Sequence, residues 1–296
     1  MKQCRLIPDF SLSQVVYGVW RWDEKVQSER DVTHIVDTCL SEGIDSFDHA
    51  DIYNDYGNEA FFGKLLKTNP SLRHQMKIIT KCGIQLLSKK KPATVVKHYD
   101  YRKSHILESV HQSLSHLHTE AIDLLLLHRP SPLLDADEVA ETLTHLVDSG
   151  KVKYLGVSNF TPVQFQLLQS RLTYPLITNQ IEWNLNHTQP AIDGSIDFLY
   201  KEKIKPMIWS PLGGGSIFGN HHSALGNQLQ ILGEKYQAGP DELALAWLLK
   251  HPVSCIPVIG TNKTERIKAA ARATRMDISL QDWFLLYEAA LGTEVP

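Results

Sequence analysis

The chain has 296 residues, 43% hydrophobic and 21% charged, with a formal net charge of −3. That composition belongs to a soluble globular protein, and its near-neutral balance gives no electrostatic footprint for nucleic acid or an anionic membrane surface. No stretch approaches eighteen consecutive apolar residues, which argues against a membrane span.

The four cysteines, Cys4, Cys39, Cys82 and Cys255, form no CxxC pair and suit neither a zinc ribbon nor a disulfide framework. The start, Met-Lys-Gln-Cys-Arg, lacks the apolar run of a signal peptide, so a cytoplasmic protein with reduced thiols is expected.

Taken in order, apolar β-branched runs alternate with helical patterns. Val15–Trp20 reads as a strand, and Ser28–Leu40 follows with apolar residues at Val32, Ile35, Val36 and Leu40. The second strand runs through Ile44 and Phe47 and breaks at Asp48 into a polar stretch, His49-Ala-Asp51-Ile-Tyr53, before a short helix near Glu59–Lys67. Met76–Lys81 is a third strand. Ser88–Arg102, with its run Lys89-Lys-Lys91, reads as a long polar loop with a solvated lysine face. A helix carries Ile106, Leu107, Val110, Leu114 and Leu117 on one stripe, and Ile122–Leu127 is a strand buried on both faces that ends at His128.

Asp135 and Glu138 read as an N-cap and its N3 partner, and Gly150 closes that helix. Val152–Val157 ends in Ser158-Asn159, and Thr161-Pro162 opens another helix with proline at its first position. Leu176–Ile181, Lys205–Trp209 and Ser254–Val258 complete the strands. Helices are expected over Ile192–Lys201, Asn227–Tyr236, Asp241–Lys250, Thr264–Ala273 and Leu280–Ala290.

Eight strands mostly alternating with helices, and no linker between them, predict parallel strands with right-handed crossovers. The fold expected is a single-domain (β/α)8 TIM barrel over 1–296, the surplus residues lying in the N-terminal segment, long loops and an additional C-terminal helix. A doubly wound open sheet is the alternative. It loses ground because the first strand is not followed by G-x-G-x-x-G.

In a barrel, sites form at the C-terminal ends of the strands. Asp48 ends the second strand, Tyr53 follows it, Lys81 ends the third and His128 ends the fourth. An unperturbed phenol titrates near ~10, and a lysine ammonium beside it is expected to lower that by roughly 1–3 units. Asp48 can hold the lysine, and His128 can orient a carbonyl oxygen. The set makes a tuned proton donor to a carbonyl, and a reduction by it needs a hydride donor.

The motifs Phe47-Asp48-His-Ala-Asp51-Ile-Tyr53, Thr80-Lys81, Leu127-His128-Arg-Pro, Gly156-Val-Ser158-Asn159-Phe, Asn179-Gln180 and Trp209-Ser-Pro-Leu resemble the aldo-keto reductase superfamily, and within it most of all the YdhF-like bacterial oxidoreductases. The resemblance covers nearly the whole chain. It implies the (β/α)8 barrel with a short N-terminal hairpin, and an NADPH-dependent carbonyl reductase in which Tyr53 is the general acid, Asp48 and Lys81 tune it, and His128 orients the substrate. It implies that Ser158, Asn159 and Gln180 bind the nicotinamide carboxamide, that Trp209 stacks on the ring where the family usually has tyrosine, and that Ser210, Leu212 and Gly213 contact the pyrophosphate.

The adenine-end motif is matched by Ile259-Gly260-Thr261-Asn262-Lys263-Thr-Glu-Arg266, with Arg266 on the 2′-phosphate. Gly260 stands where many members have lysine and Ala270 where many have asparagine, which narrows the margin of NADPH over NADH. The implied partner is a small carbonyl substrate, on a chain that is usually a monomer. An NADPH-binding sensor with slow turnover is the alternative function.

Several residues carry two readings. His49, Asp51 and His128 could mark a metal-dependent barrel hydrolase, but the ligand count is short, and His49 is expected to face away from Asp48. Cys82 reads as a small buried side chain rather than a redox thiol. Arg129 suits either an acidic substrate or a structural salt bridge. Trp20 is expected to line the substrate pocket, with Trp22 a weaker case, and His221-His222 to be a surface pair.

Overall fold

A computed structural model describes residues 1–22, 28–219 and 223–295, so the His221-His222 pair lies outside the described residues. Eight strands close into a parallel barrel, as the alternation of strand and helix predicts. The strands of the chain are β1 (Gln3–Ile7), β2 (Phe10–Ser13), β3 (Val16–Gly18), β4 (Ser46–Asp48), β5 (Lys77–Cys82), β6 (Ile84–Gln85), β7 (His98–Tyr99), β8 (Ile122–Leu127), β9 (Val152–Ser158), β10 (Leu176–Glu182), β11 (Met207–Trp209) and β12 (Ile256–Ile259). The barrel order is β10-β11-β12-β3-β4-β5-β8-β9, while β1 and β2 form the antiparallel N-terminal hairpin.

The helices are α1 (Glu29–Ser41), α2 (Tyr53–Tyr56), α3 (Asn58–Thr68), α4 (Lys103–His116), α5 (Ala136–Asp148), α6 (Pro162–Gln169), α7 (Ser195–Lys201), α8 (Ala224–Tyr236), α9 (Pro240–Lys250), α10 (Thr264–Ala273) and α11 (Leu280–Leu291). No described helix is long and apolar enough to cross a membrane.

Capping chemistry places several helix starts. Thr161 forms a full capping box with Gln164, Pro162 standing at the first position. Asp135 caps α5 by accepting from the N–H groups of Asp137 and Glu138, but the expected return bond from Glu138 is not made. Its carboxylate instead accepts from the Lys103 N–H that opens α4. Ser223 caps α8, which therefore starts at Ala224 rather than Asn227. Residues 189–191 take a short 3-10 turn and Gly194 is left-handed, so α7 starts at Ser195 rather than Ile192.

Two compact units emerge. One holds Met1–Val16, Thr38–Ile44 and the described residues from Ile181 onward; the other holds the described residues of 17–37 and 45–180. In the first, Trp247 and Trp283 stack at 5.0 Å and each indole N–H donates to the other's backbone carbonyl, so buried Trp247 and half-buried Trp283 pack with both polar atoms satisfied. In the second, Trp22 is fully buried, donates to the Tyr17 hydroxyl at 3.0 Å and stacks on Phe62, so it is core and lines no pocket.

Also in the second unit, Asp123 near the start of β8 accepts from Arg73 at 2.8 Å, Lys153 at 2.7 Å and the Ile78 N–H at 2.8 Å. It ties β8, β5 and β9 together at the end of the strands opposite Lys81 and His128.

Candidate active site

The parallel register of β3, β4, β5, β8 and β9 assembles the site. Gly18 pairs with Asp48, Asp48 with Ile79, Lys81 with Leu126 and Leu127 with Val157, so the C-terminal strand ends meet at one level. Lys81 is 1% exposed. Its ammonium donates to Asp48 Oδ2 at 2.6 Å, the His49 carbonyl at 2.9 Å and the Tyr53 hydroxyl oxygen at 3.0 Å. Those three acceptors use all three ammonium protons. The Tyr53 oxygen therefore receives a hydrogen bond, and its own O–H is left to point elsewhere. The His128 ring stands edge-on to the Tyr53 ring, centroids 6.0 Å apart.

The electrostatics differ in one respect from the sequence-based expectation. Burial pushes the Tyr53 phenol up, and Asp48 and Asp51 add to this; the opposing pull of Lys81 does not overcome them. Desolvation works against the Lys81 ammonium, but Asp48 and Tyr53 outweigh it and hold its proton tightly. Burial, then Lys81, Arg129 and Lys97, keep His128 far below the usual imidazole range, so its ring is neutral. A neutral imidazole and a protonated phenol next to it are two hydrogen-bond donors suited to one carbonyl oxygen.

The segment after Tyr53 is strained. Asn54, Asp55 and Tyr56 have φ of 50°, 49° and 61°, three successive left-handed residues. Each costs of order 1–2 kcal/mol without glycine. The compensating contacts come from neighbouring loops. The Asn54 amide donates to the Trp22 carbonyl at 3.1 Å, Lys90 to the Asp55 carbonyl at 2.6 Å, and the Leu86 N–H to the Tyr56 hydroxyl at 2.9 Å. Lys91 sits 5.3 Å from the Tyr56 ring centroid.

Lys89 and Lys90 are exposed, as the reading of a solvated loop face expects, while Lys90 and Lys91 also reach the turn that follows Tyr53. The same arm contains the β6–β7 hairpin, and beyond it the Tyr101 hydroxyl donates to the Arg129 carbonyl and accepts from the Arg129 N–H at 3.1 Å. Gly83, at φ 106°, passes so close to Tyr101 that a Cβ would lie 2.1 Å from its ring.

Three of the expected cofactor residues belong to the same unit and are wired to the tetrad. Gln180 donates to Asp48 Oδ1 at 3.0 Å, Ser158 Oγ to the Gln180 carbonyl at 2.8 Å, and Asn159, left-handed at φ 62°, to the His128 carbonyl at 3.2 Å and Ser158 Oγ at 2.8 Å. Two side-chain amides held this way offer donors and acceptors to a carboxamide.

The other unit contains the remaining ones. Trp209 ends β11, and Ser210 is left-handed at φ 47°. Leu212 leads into Gly213–Gly215, all at positive φ, where a Cβ on Gly213 would meet Ser216 Oγ at 2.6 Å. Gly260 and Thr261 precede α10, whose first turn has no side-chain cap. Arg266 lies in that turn, its guanidinium 4.2 Å from the Phe218 ring centroid and, among the described residues, in no ion pair. An uncapped helix start with a stacked arginine fits a phosphate. Ala270 is buried within α10.

Trp20 follows β3 and is 58% exposed, with Arg21 5.7 Å from its ring centroid. Cys82 is buried. His49 points away from the Lys81 ammonium into an edge contact with Phe62 at 4.6 Å, and burial brings it down to about 3. Among the described residues no three His, Cys, Asp or Glu side chains converge as a metal site.

Sequence reasoning passed over Glu59, whose place in α3 reads as an ordinary first-turn acid. It is buried and receives hydrogen bonds from Thr80 and Ser113. No local pattern marks it, because its partners come from β5 and α4.

A parallel (β/α)8 barrel with this polar set at its strand ends defines a class. Residues 14–289 match the Aldo/keto reductase family, and the chain belongs to that family, an oxidoreductase of the NAD(P)H-using kind. It is 44% identical over 296 residues to a protein named 6-dehydroglucose reductase from Agrobacterium fabrum, covering all of both chains. It is 43% identical over 291 residues to oxidoreductase YdhF from Escherichia coli, covering 98% of this chain and 96% of that one. A crystal structure of a thermostable aldo-keto reductase in complex with the inhibitor epalrestat has the same fold, with a TM-score of 0.83 at 23% identity, covering 98% of this chain and 100% of the other.

Proposed function

We propose that the protein reduces aldehyde or ketone carbonyls to alcohols with NADPH, and that Tyr53 is the general acid. The observation that carries this reading is the hydrogen-bond direction at Lys81: its ammonium donates to the phenol oxygen, so the phenolic proton is free for a substrate oxygen. His128, neutral and beside Tyr53, donates a second hydrogen bond that orients the carbonyl. Asp48 keeps Lys81 charged and in place, and Gln180 keeps Asp48 in place. As the phenol loses its proton, the adjacent ammonium stabilises the oxyanion that develops on Tyr53.

Bound NADPH would supply the hydride. Ser158, Asn159 and Gln180 would hold its carboxamide, Trp209 would present a flat face to the nicotinamide, Ser210, Leu212 and Gly213 would contact the pyrophosphate, and Arg266, aided by the Thr261 hydroxyl, would hold the 2′-phosphate at the adenine end where Gly260 also lies. Arg266 is the basis for preferring NADPH over NADH. A relative named 6-dehydroglucose reductase makes a sugar aldehyde the first compound to try, within a panel of apolar and polar aldehydes and ketones.

Tyr53→Phe tests the reading. Carbonyl-dependent NADPH oxidation is expected to fall roughly 10²–10⁴-fold, the usual worth of a general acid, while NADPH affinity by fluorescence titration stays within about twofold. Turnover unchanged by the substitution would overturn it. Cofactor binding with no turnover on any carbonyl in the unmodified protein would favour a sensor.

A further inference from the structure

Two carboxyl groups lie behind β5 and take no part in the chemistry derived above. Glu59 Oε1 accepts from Thr80 Oγ1 at 2.5 Å and Oε2 from Ser113 Oγ at 2.9 Å. Asp51 Oδ2 accepts from Ser109 Oγ at 2.7 Å, and the Asp51 N–H donates to the Lys81 carbonyl at 3.1 Å. Ser109 and Ser113 are one turn apart on α4, so they present their hydroxyls on the same face. The two acids therefore flank Thr80 and Lys81 from the helix side. Asp51 Oδ1 is buried with no hydrogen-bond partner among the described residues. No cation forms an ion pair with either acid among the described residues; Lys81, the nearest in role, spends its three protons on Asp48, His49 and Tyr53.

We propose that Asp51 and Glu59 are positioning residues for the Lys81–Tyr53 pair: two buried acids that hold the backbone of β5 and the loop before Tyr53 against α4, and whose deprotonation weakens Tyr53 as a proton donor. This rests on the reading of Tyr53 as the general acid. The reason the acids keep their protons is desolvation. Two buried carboxylates with no cation paired to them cannot both be charged cheaply.

Burial, opposed by the hydroxyl hydrogen bonds each receives, brings both up to about 7, and Asp51 contributes to the rise at Glu59. The groups facing the pair from every packed element are Lys81 and Lys91, which favour ionisation, and Cys82, Tyr53, Tyr56 and Tyr101, which stay protonated. His49 stays neutral and adds no charge. The consequence reaches the site because negative charge on Asp51 raises the Tyr53 phenol. As pH climbs through neutrality the two acids lose their protons, and the donor becomes weaker.

The experiment has two arms. The first is infrared difference spectroscopy of the unliganded protein. A protonated carboxyl stretch is expected at pH 6, lost by pH 9, and absent or shifted in Glu59→Gln. No such band at pH 6 would overturn the proposal whatever Tyr53 does, because the measurement involves no turnover.

The second arm is kcat/KM for carbonyl reduction from pH 5 to pH 9. The unmodified enzyme should show an inflection near neutrality that disappears in Asp51→Asn and moves to lower pH in Glu59→Gln, which removes a neighbouring negative charge. Ser109→Ala removes a donor that favours the charged form of Asp51, so the inflection should move to higher pH by roughly half a unit to one unit. Profiles of all three variants superimposing on that of the unmodified protein would overturn it. A scaffold role alone would lower activity without displacing the profile. If one acid variant fails to fold, the other and Ser109→Ala still decide.

Discussion

At the scale of single residues, geometry separates roles that residue type leaves open. His49 and His128 lie one after each of two barrel strands. Only His128 stands beside the Tyr53 ring; His49 packs on Phe62 and its carbonyl, not its ring, meets Lys81. The expectation that Lys81 would lower the Tyr53 phenol overlooks burial, which acts in the opposite direction and prevails. A phenol that keeps its proton suits an acid in a reduction. Its conjugate base is stabilised only when the ammonium beside it becomes the counter-ion of a phenolate.

Arg266 gives the clearest residue-scale test of cofactor choice. Charge-assisted hydrogen bonds are worth about 1.5–3 kcal/mol, so Arg266→Ala should raise the NADPH dissociation constant roughly 10–100-fold and leave that for NADH almost unchanged. Titration of both cofactors checks it. Equal losses would place the 2′-phosphate elsewhere.

At the scale of elements, the short α2 is where sequence patterning fails. Nothing in Tyr53-Asn-Asp-Tyr56 forbids an ordinary helical turn, yet three residues are left-handed because Lys90, Leu86 and Trp22 over-determine the turn from outside. Tyr56→Phe leaves the Leu86 N–H without its acceptor, a loss of about 1–3 kcal/mol. The turn after Tyr53 should loosen and kcat should fall several-fold, with cofactor affinity kept. An unchanged kcat would show that these contacts do not position Tyr53.

Asp123 provides the contrast at the other end of β8. With three donors on one buried carboxylate, Asp123→Ala should destabilise by about 2–4 kcal/mol, read as a lower urea midpoint, while kcat/KM measured on the folded fraction stays near its original value. A matching loss in kcat/KM would show coupling along the strand.

Across the whole molecule, buried titratable groups pull stability in opposite directions. Asp51 and Glu59, up at about 7, contribute stability that is complete below their unfolded values near ~4 and is lost as pH rises through about 7. His49, down at about 3, and His128, also lowered, contribute stability that is present above ~6.5 and is lost as pH falls. Between about pH 4.5 and 6.5 the two sets offset each other. Glu59→Gln removes one protonation from the acid side, so the slope of unfolding free energy against pH should become more positive by about 1.4 kcal/mol per unit in that window. Urea unfolding at several pH values measures it, and an unaltered slope would show that Glu59 is ionised in the folded protein.

What the sequence determined by itself was the alternation of eight strands with helices, the Asp135 and Thr161 caps, and the strand-end positions of Asp48, Lys81 and His128. Each follows from a local rule: hydrophobic period, capping chemistry, or a polar residue where a buried strand must stop. The tertiary structure decided the rest. It directed the Lys81 protons, buried Trp22 as core, exposed Trp20, brought Lys90 and Lys91 to the turn after Tyr53, and drew Glu59 in behind β5. These depend on contacts between residues far apart in the chain and on the loss of water around them. Desolvation reverses the expected shift at Tyr53 and brings two ordinary carboxyls up to about 7, and no local pattern of residues encodes it.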